Sequence, residues 1–445
     1  MSRRDTVLKY FDKYKNFMDT VVETGIEKNR KGNAYLEVVD ADGHPISGAE
    51  VTACQKNHNF KYGANIFMLD ELESDEKNSA YRDAFKDIFN LATLPFYWSD
   101  LEPVQGKPRY AKGSPKIYRR PAPDLCVEYC LENGIEPKAH CLNYDNYTPQ
   151  WLKDADVEYH KRMLNKHFKE LSERYADVIP SWEVTNETLL PYDHYNSAFY
   201  RQDDFVEWSF RTADRYFPTN RLIINDFYIW YIHSPAYRDN RSPYYMQIER
   251  LGFKGITHLD SIGMQFHCFS SRESEGDIAP TFYNPVFLYE VFDKYAQLGK
   301  KIQITEMTIP AYSDSDEDEQ VQAELIEKLY TVFFSHPAME AVIYWNLVDG
   351  YAAFAPQGDM TAGENKFFGG LMNFDLSKKR AYHTIKKLFS EKWHTVSRIA
   401  TDINGKAEFR GFYGDYELTI KVNGKEIKKD ISLLPAKNNI NQIII

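Results

Sequence analysis

The chain has 445 residues, of which 43% are hydrophobic and 27% charged, an ordinary soluble balance that excludes disorder as the main theme. Its longest apolar runs are strand-sized and fall well short of the roughly 18 residues of a membrane span. A formal charge of −11 excludes general electrostatic binding to nucleic acid, while an aromatic content of 15% suits stacking on flat ligand faces.

Residues 5–28 carry Val7, Leu8, Phe11, Tyr14, Phe17, Met18, Val21 and Val22 at helical spacing, which predicts one amphipathic helix. This segment has no apolar h-region and is not a signal peptide. The compartment stays open between the cytoplasm and a mature secreted form whose leader has been removed. NAYLEVV (33–39) and AEVTAC (49–54) then alternate like strands around turn residues. From residue 60 the rhythm changes. Strand-like apolar segments recur at 60–67, 91–98, 136–142, 179–187, 221–227, 261–267, 301–309 and 341–349, most of them separated by helical stretches. Eight βα units suggest a closed (β/α)₈ TIM barrel. An open doubly wound sheet would typically carry a Gly-rich phosphate loop after its first strand, and none is present. A helix at 381–389 closes the barrel, and 395–445 reads as short strands joined by turns. The expected organisation is a helix at 1–30, a β segment at 31–58, a barrel at 59–390 and a C-terminal β-sandwich segment at 391–445, the two β segments forming one module. About 50 residues are few for independent stability.

The five cysteines, Cys54, Cys126, Cys130, Cys141 and Cys268, show no CxxC pattern, so no zinc or redox motif is expected. A metal site could be drawn on paper from His140, His267 and Asp226, but no HxH or HExxH spacing supports it. Neither metal nor cofactor is expected.

Active sites of such barrels lie at the C-terminal strand ends. Two carboxylates stand there: Glu187 ending WEVTNE (182–187) and Glu306 in ITEMTI (304–309). A carboxylate pair across a cleft is what glycosidic cleavage needs, one protonated to serve the leaving oxygen and one ionised to attack. Trp182 is expected to pack, Asp226 to hold neighbouring loops, and the run 313–319 to be an acidic helix start. The basic, Pro-rich loop at 105–123 is expected to be solvated, at the border of the cleft.

From about 60 to 389 the sequence resembles glycoside hydrolase family 10, the β-1,4-xylanases. WEVTNE looks like its acid/base motif, ITEMTI like its nucleophile motif, MQFH (264–267) like its Gln–His segment, and AH (139–140) followed by TPQWL (148–152) like its third strand. WSDLEP (98–103), YWNLVDG (344–350) and GLMNFDLSKKRAY (370–382) complete the set in order. The resemblance implies that Glu187 is the general acid/base and Glu306 the nucleophile of a retaining double displacement. It implies that Asn186 holds the sugar 2-hydroxyl, His267 bonds Glu306, His140 binds a hydroxyl at the cleavage position, Gln265 lines the site near the acid/base, and Trp345 floors it.

The second strand departs from the family. Where xylanases usually carry Glu, Asn and Lys, this chain has Thr93, Leu94 and Tyr97, and Tyr144 and Asp145 replace a Trp–His pair. Ala352 and Ala353, with Phe354 beside them, stand where a second Trp is usual. Tyr97, Tyr144 and Phe354 make that subsite more aromatic, so a decorated or non-standard β-glycoside is expected in place of plain xylan. The expected partner is a β-linked oligo- or polysaccharide, with no nucleic acid and no membrane. Protein partners, endo or exo action and oligomeric state are not given by the sequence. The alternative is a carbohydrate-binding protein of the same fold with little or no turnover. A third reading places glycan binding on the terminal β module through Phe409, Phe412, Tyr413 and Tyr416.

Overall fold

The computed structural model describes residues 2–227, 229 and 241–445. Two strands, β1 (Lys31–Val39) and β2 (Glu50–His58), precede the barrel. The barrel strands are β3 (Lys61–Asn65), β4 (Leu91–Pro95), β5 (Glu136–His140), β6 (Ser181–Asn186), β7 (Arg221–Asp226), β8 (Ser261–His267), β9 (Lys301–Thr308) and β10 (Met339–Tyr344). They run parallel in chain order, and β10 pairs with β3 to close the ring. Each falls within, or one or two residues of, a predicted apolar segment. Most segments run longer than their strands because they continue into the βα loop, where Tyr97 and Trp98 follow Pro95. The strands are buried on both faces, as parallel strands covered outside by helices and filled inside by side chains must be.

One glycine positions the site. A Cβ at Gly263 on β8 would lie 2.6 Å from Oδ1 of Asn225 on β7. The missing side chain leaves room for the Asn225 amide to reach across the barrel interior.

The N-terminal helix runs Arg3–Lys13, Lys15–Phe17, a π turn Met18–Val22, and Glu23–Asn29. Its apolar stripe begins as expected with Val7, Leu8 and Phe11, then continues through Met18, Val22 and Ile26, leaving Val21 43% exposed. The π turn widens the spacing between buried positions to four residues, which moves Val21 off the stripe. Arg3 ties the helix to the barrel through Glu275, at 2.7 and 2.9 Å. The acidic run begins the helix Asp316–Ser335, where Ser315 caps and Asp316 to Glu319 face the positive end of the dipole.

After the barrel come β11 (Val396–Ala400), β12 (Lys406–Phe412), β13 (Gly414–Val422), β14 (Lys425–Leu433) and β15 (Ile440–Ile444). They form two sheets, β12-β1-β15 and β11-β2-β13-β14, each completed by one N-terminal strand. The chain ends therefore build one small β-sandwich beside the TIM barrel. Its core is Leu36, Val38 and Val51 from one end, and Leu418, Ile420 and Ile443 from the other. Phe409, Phe412 and Tyr416 are buried, so they do not form an exposed glycan platform.

Candidate active site

The strand ends of the barrel open into a cleft of about 650 Å³, and all nine predicted site residues line it: Glu187, Glu306, His140, Asn186, Gln265, His267, Trp345, Tyr97 and Tyr144. Glu187 follows the last residue of β6 and sits at φ 52°, a left-handed backbone that costs a non-glycine residue on the order of 1 kcal/mol and concentrates at functional sites. Glu306 lies within β9 and is almost wholly buried.

A chain of side-chain amides joins the two carboxylates. Gln265 Nε2 donates to Glu187 Oε1 at 3.1 Å and to Asn186 Oδ1 at 3.3 Å. Asn225 Nδ2 donates to the same Asn186 oxygen and to Glu306 Oε1, both at 2.8 Å, while its Oδ1 accepts from Thr305 at 2.6 Å. With Oδ1 of Asn186 taking two donors, its NH₂ group is the part left for a ligand. On the far side of each carboxylate stands one more partner. The Tyr144 hydroxyl donates to Glu187 Oε2, and His267 Nε2 lies 3.1 Å from Glu306 Oε2. His267 Nδ1 lies 2.9 Å from the Thr308 hydroxyl, which fits a ring that donates through Nε2 and accepts at Nδ1. Burial pulls His267 down to about 4, so this imidazole is neutral at pH 7.

Beneath the cleft lies a second, charged cluster. The Lys138 ammonium and His140 Nδ1 both bond Glu183, and all three are buried. Burial pushes Glu183 up, but Lys138 and His140 together pull it down to about 2. Glu306 has no such counter-ion: burial, then the nearby Glu183 and Glu187, push it up to about 8 against the opposing pull of His140 and Asn225. One donor atom each from His140, Glu183 and Glu306 lies within 4.8 Å of the others. That spacing would admit a metal, yet the Lys138 ammonium already pairs with Glu183 and His140 Nδ1 is bonded to it.

Aromatic rings wall the cleft. Trp345 meets the rings of His267, His140 and Phe67 edge-on, with centroids 5.6, 5.8 and 5.4 Å apart. Tyr97 stands edge-on to His140 at 5.1 Å. Phe354 lies on the rim, 90% exposed.

Several expectations need correction. Tyr144 is not only an aromatic wall, because its hydroxyl engages Glu187. Of Thr93, Leu94 and Tyr97, Tyr97 alone lines the cleft; Thr93 and Leu94 are sealed in the barrel wall. The loop at 105–123 borders the cleft, but its arginines are not solvated. Arg109, Arg119 and Arg120 are buried, held by backbone carbonyls and by Asp100. Trp182 packs in the core, and Asp226 accepts from the Thr188 backbone at 2.8 Å, tying the loop after Glu187 to β7. Sequence reasoning missed Lys138, Glu183, Asn225, Arg119 and Arg120. A charged residue inside an apolar strand is a usable signal, since Lys and Glu are almost never fully buried unless paired.

A model of the family described as glycosyl hydrolase family 10 matches residues 60–388. Among curated proteins, an anti-sigma-I factor, RsgI6, of Acetivibrio thermocellus is 25% identical over 90% of this chain and 46% of its own length. Endo-1,4-beta-xylanase 1 of Arabidopsis thaliana is 24% identical over 88% of this chain and 37% of its own length. The chain thus spans less than half of either. Endo-1,4-beta-xylanase B of Thermotoga neapolitana is 25% identical over 75% of this chain and 88% of its own length. The crystal structure of xylanase 10B from Thermotoga petrophila in complex with xylobiose shares the fold, with a TM-score of 0.58 and 24% identity over 75% of this chain and 95% of that one.

Proposed function

The chain belongs to glycoside hydrolase family 10, and from that premise we propose that it cleaves β-1,4-linked glycans of xylan type by a retaining double displacement. The observation that carries this reading is the amide chain Gln265–Asn186–Asn225, which holds Glu187 and Glu306 on one cleft. In the first step Glu306 attacks the anomeric carbon while Glu187 gives its proton to the departing oxygen. In the second, water attacks the glycosyl ester while Glu187 takes back a proton, and the sugar leaves with its configuration retained. The pair must enter with one proton, on Glu187. Asn225 and neutral His267 each offer Glu306 a donor, which favours its ionised form against the cost of burial. The double displacement requires the proton to be on Glu187 in the productive complex, where its Oε2 faces the Tyr144 hydroxyl. The NH₂ of Asn186 is placed to hold the 2-hydroxyl of the sugar at the cleavage position, and Trp345 to floor it.

The replaced second-strand contacts support a glycone other than an undecorated xylose. The test is to incubate the protein with plain and substituted xylans, xylo-oligosaccharides and gluco- and galacto-linked controls, and to follow the first-formed anomer by NMR. A β-anomer released first is the expected result. An α-anomer released first would overturn retention, and no product from folded protein would overturn turnover. A second reading is a carbohydrate-binding protein of the same fold with little or no turnover, since a relative of this chain is named an anti-sigma-I factor and not a hydrolase. Against it stand two carboxylates with full hydrogen-bond support, which mere binding does not need.

A further inference from the structure

Beyond Trp345, on the β3–β4 side of the cleft, two consecutive arginines line the wall. Arg119 and Arg120 are 3% and 9% exposed, and both border the cavity. Their guanidinium carbons lie 5.6 and 5.5 Å from the Phe67 ring centroid. Phe67 in turn touches Trp345, so the arginines stand one ring beyond the wall of the cleavage position.

The two differ in how their charge is met. Arg120 Nε donates to the Asp100 carboxylate at 2.8 Å, Nη2 donates to the Tyr147 hydroxyl at 3.0 Å, and the group lies 4.1 Å from the Tyr97 ring centroid. Arg119 donates through Nη1 alone, to Asn346 Oδ1 at 3.1 Å and to the Tyr351 carbonyl, both neutral acceptors. Its buried Nε has no partner, and among the described residues no carboxylate oxygen lies within 4 Å of the group. Glu364 borders the same cleft and attracts Arg119 through space, but its carboxylate makes no direct ion pair with the guanidinium and accepts from the NH₂ of Asn346 at 3.4 Å. Lys153 adds another positive charge to the lining. A buried guanidinium with no carboxylate in direct contact is costly, and a ligand carboxylate would offset that cost.

We propose that this end of the cleft binds the carboxylate of a uronosyl unit, with Arg119 as the pairing group. The proposal rests on the reading of the cleft as a β-glycan site. A planar carboxylate suits a guanidinium better than a hydroxyl does, and a charge-assisted bond is about twice as strong as a neutral one.

The test uses matched xylo-oligosaccharides: unbranched, glucuronosyl-branched, and the branched form with its carboxyl reduced to the alcohol. A second pair carries the uronosyl unit within the main chain, which separates a branch from a backbone residue. Binding is measured by calorimetry on E306Q protein, which does not depend on turnover, and kcat/KM on the unaltered chain. The expected result is a preference of about tenfold or more for one acidic form over its carboxyl-reduced twin. Equal binding of acid and alcohol in both pairs would overturn the proposal. Arg119→Met should erase the preference between acid and alcohol, and a preference that survives it would overturn the role of Arg119. The carboxyl-reduction comparison needs no variant, so it decides even if Arg119→Met fails to fold. Cleavage of neutral oligosaccharides with no effect of the carboxylate would sink this proposal and leave the glycanase reading intact. Arg119-dependent binding of the acidic forms, with no cleavage of any glycan, would do the reverse.

Discussion

Two glutamates point into the same barrel, Glu183 on β6 and Glu306 on β9, and burial pushes both upward. One ends near 2 and the other near 8. The difference lies in their neighbours. Glu183 has an ammonium and an imidazole bonded to it, whereas Glu306 has an amide, a neutral imidazole and two other carboxylates close by. A carboxylate whose counter-ion is built in stays charged and serves structure. One denied a counter-ion keeps a reactive choice between proton and charge near neutrality, which suits a group meant to form a bond.

The sharpest break in that comparison is Glu306→Ala. It should lower kcat by at least about 10⁴-fold, the scale on which removal of a covalent nucleophile acts, with the protein still folded by circular dichroism. The matching break on the other side is Lys138→Met. It strands the Glu183 charge in the core and should cost about 3–5 kcal/mol in denaturant unfolding. Adding Glu183→Gln should restore most of that loss.

The two groups also give pH dependences of opposite sign. Glu183 titrates below the ordinary glutamate value, so its contribution is present above about pH 4.5 and is lost as pH falls toward 2. Glu306 titrates above that value, so its contribution is full below about pH 4.5 and is lost as pH rises through 8. Glu306→Gln should therefore raise stability at pH 8, by up to about 4 kcal/mol, with the gain vanishing near pH 4 in thermal melts at the two pH values. The smallest effect expected is that of Tyr144→Phe. Loss of its bond to Glu187 should reduce kcat/KM by about tenfold in steady-state kinetics, while leaving the melt unchanged.

The barrel strands were legible because parallel strands buried on both faces read as short continuous apolar runs. Glu187 and Glu306 were legible because each is a carboxylate close to the end of such a run. The counter-ions were not. Lys138 and Glu183 are far apart in sequence, and only the pairing of β5 with β6 brings them together. Arg119 and Arg120 sit among prolines, glycines and lysines, a composition that reads as a solvated loop. Their burial depends on Phe67, Tyr97 and Asp100, which lie elsewhere in sequence. The sandwich was visible in its alternating strands, yet the burial of Phe409, Phe412 and Tyr416 depends on which sheet faces which.

The most direct test of Glu306 as nucleophile is to trap the glycosyl-enzyme. A 2-deoxy-2-fluoro xylobioside with a good leaving group slows the second step more than the first, and peptide mass spectrometry then locates the sugar. One glycosyl adduct on Glu306, in the peptide containing residues 304–309, is the predicted result. An adduct on Glu187, or steady turnover of unfluorinated substrate with no adduct trapped anywhere, would contradict the account.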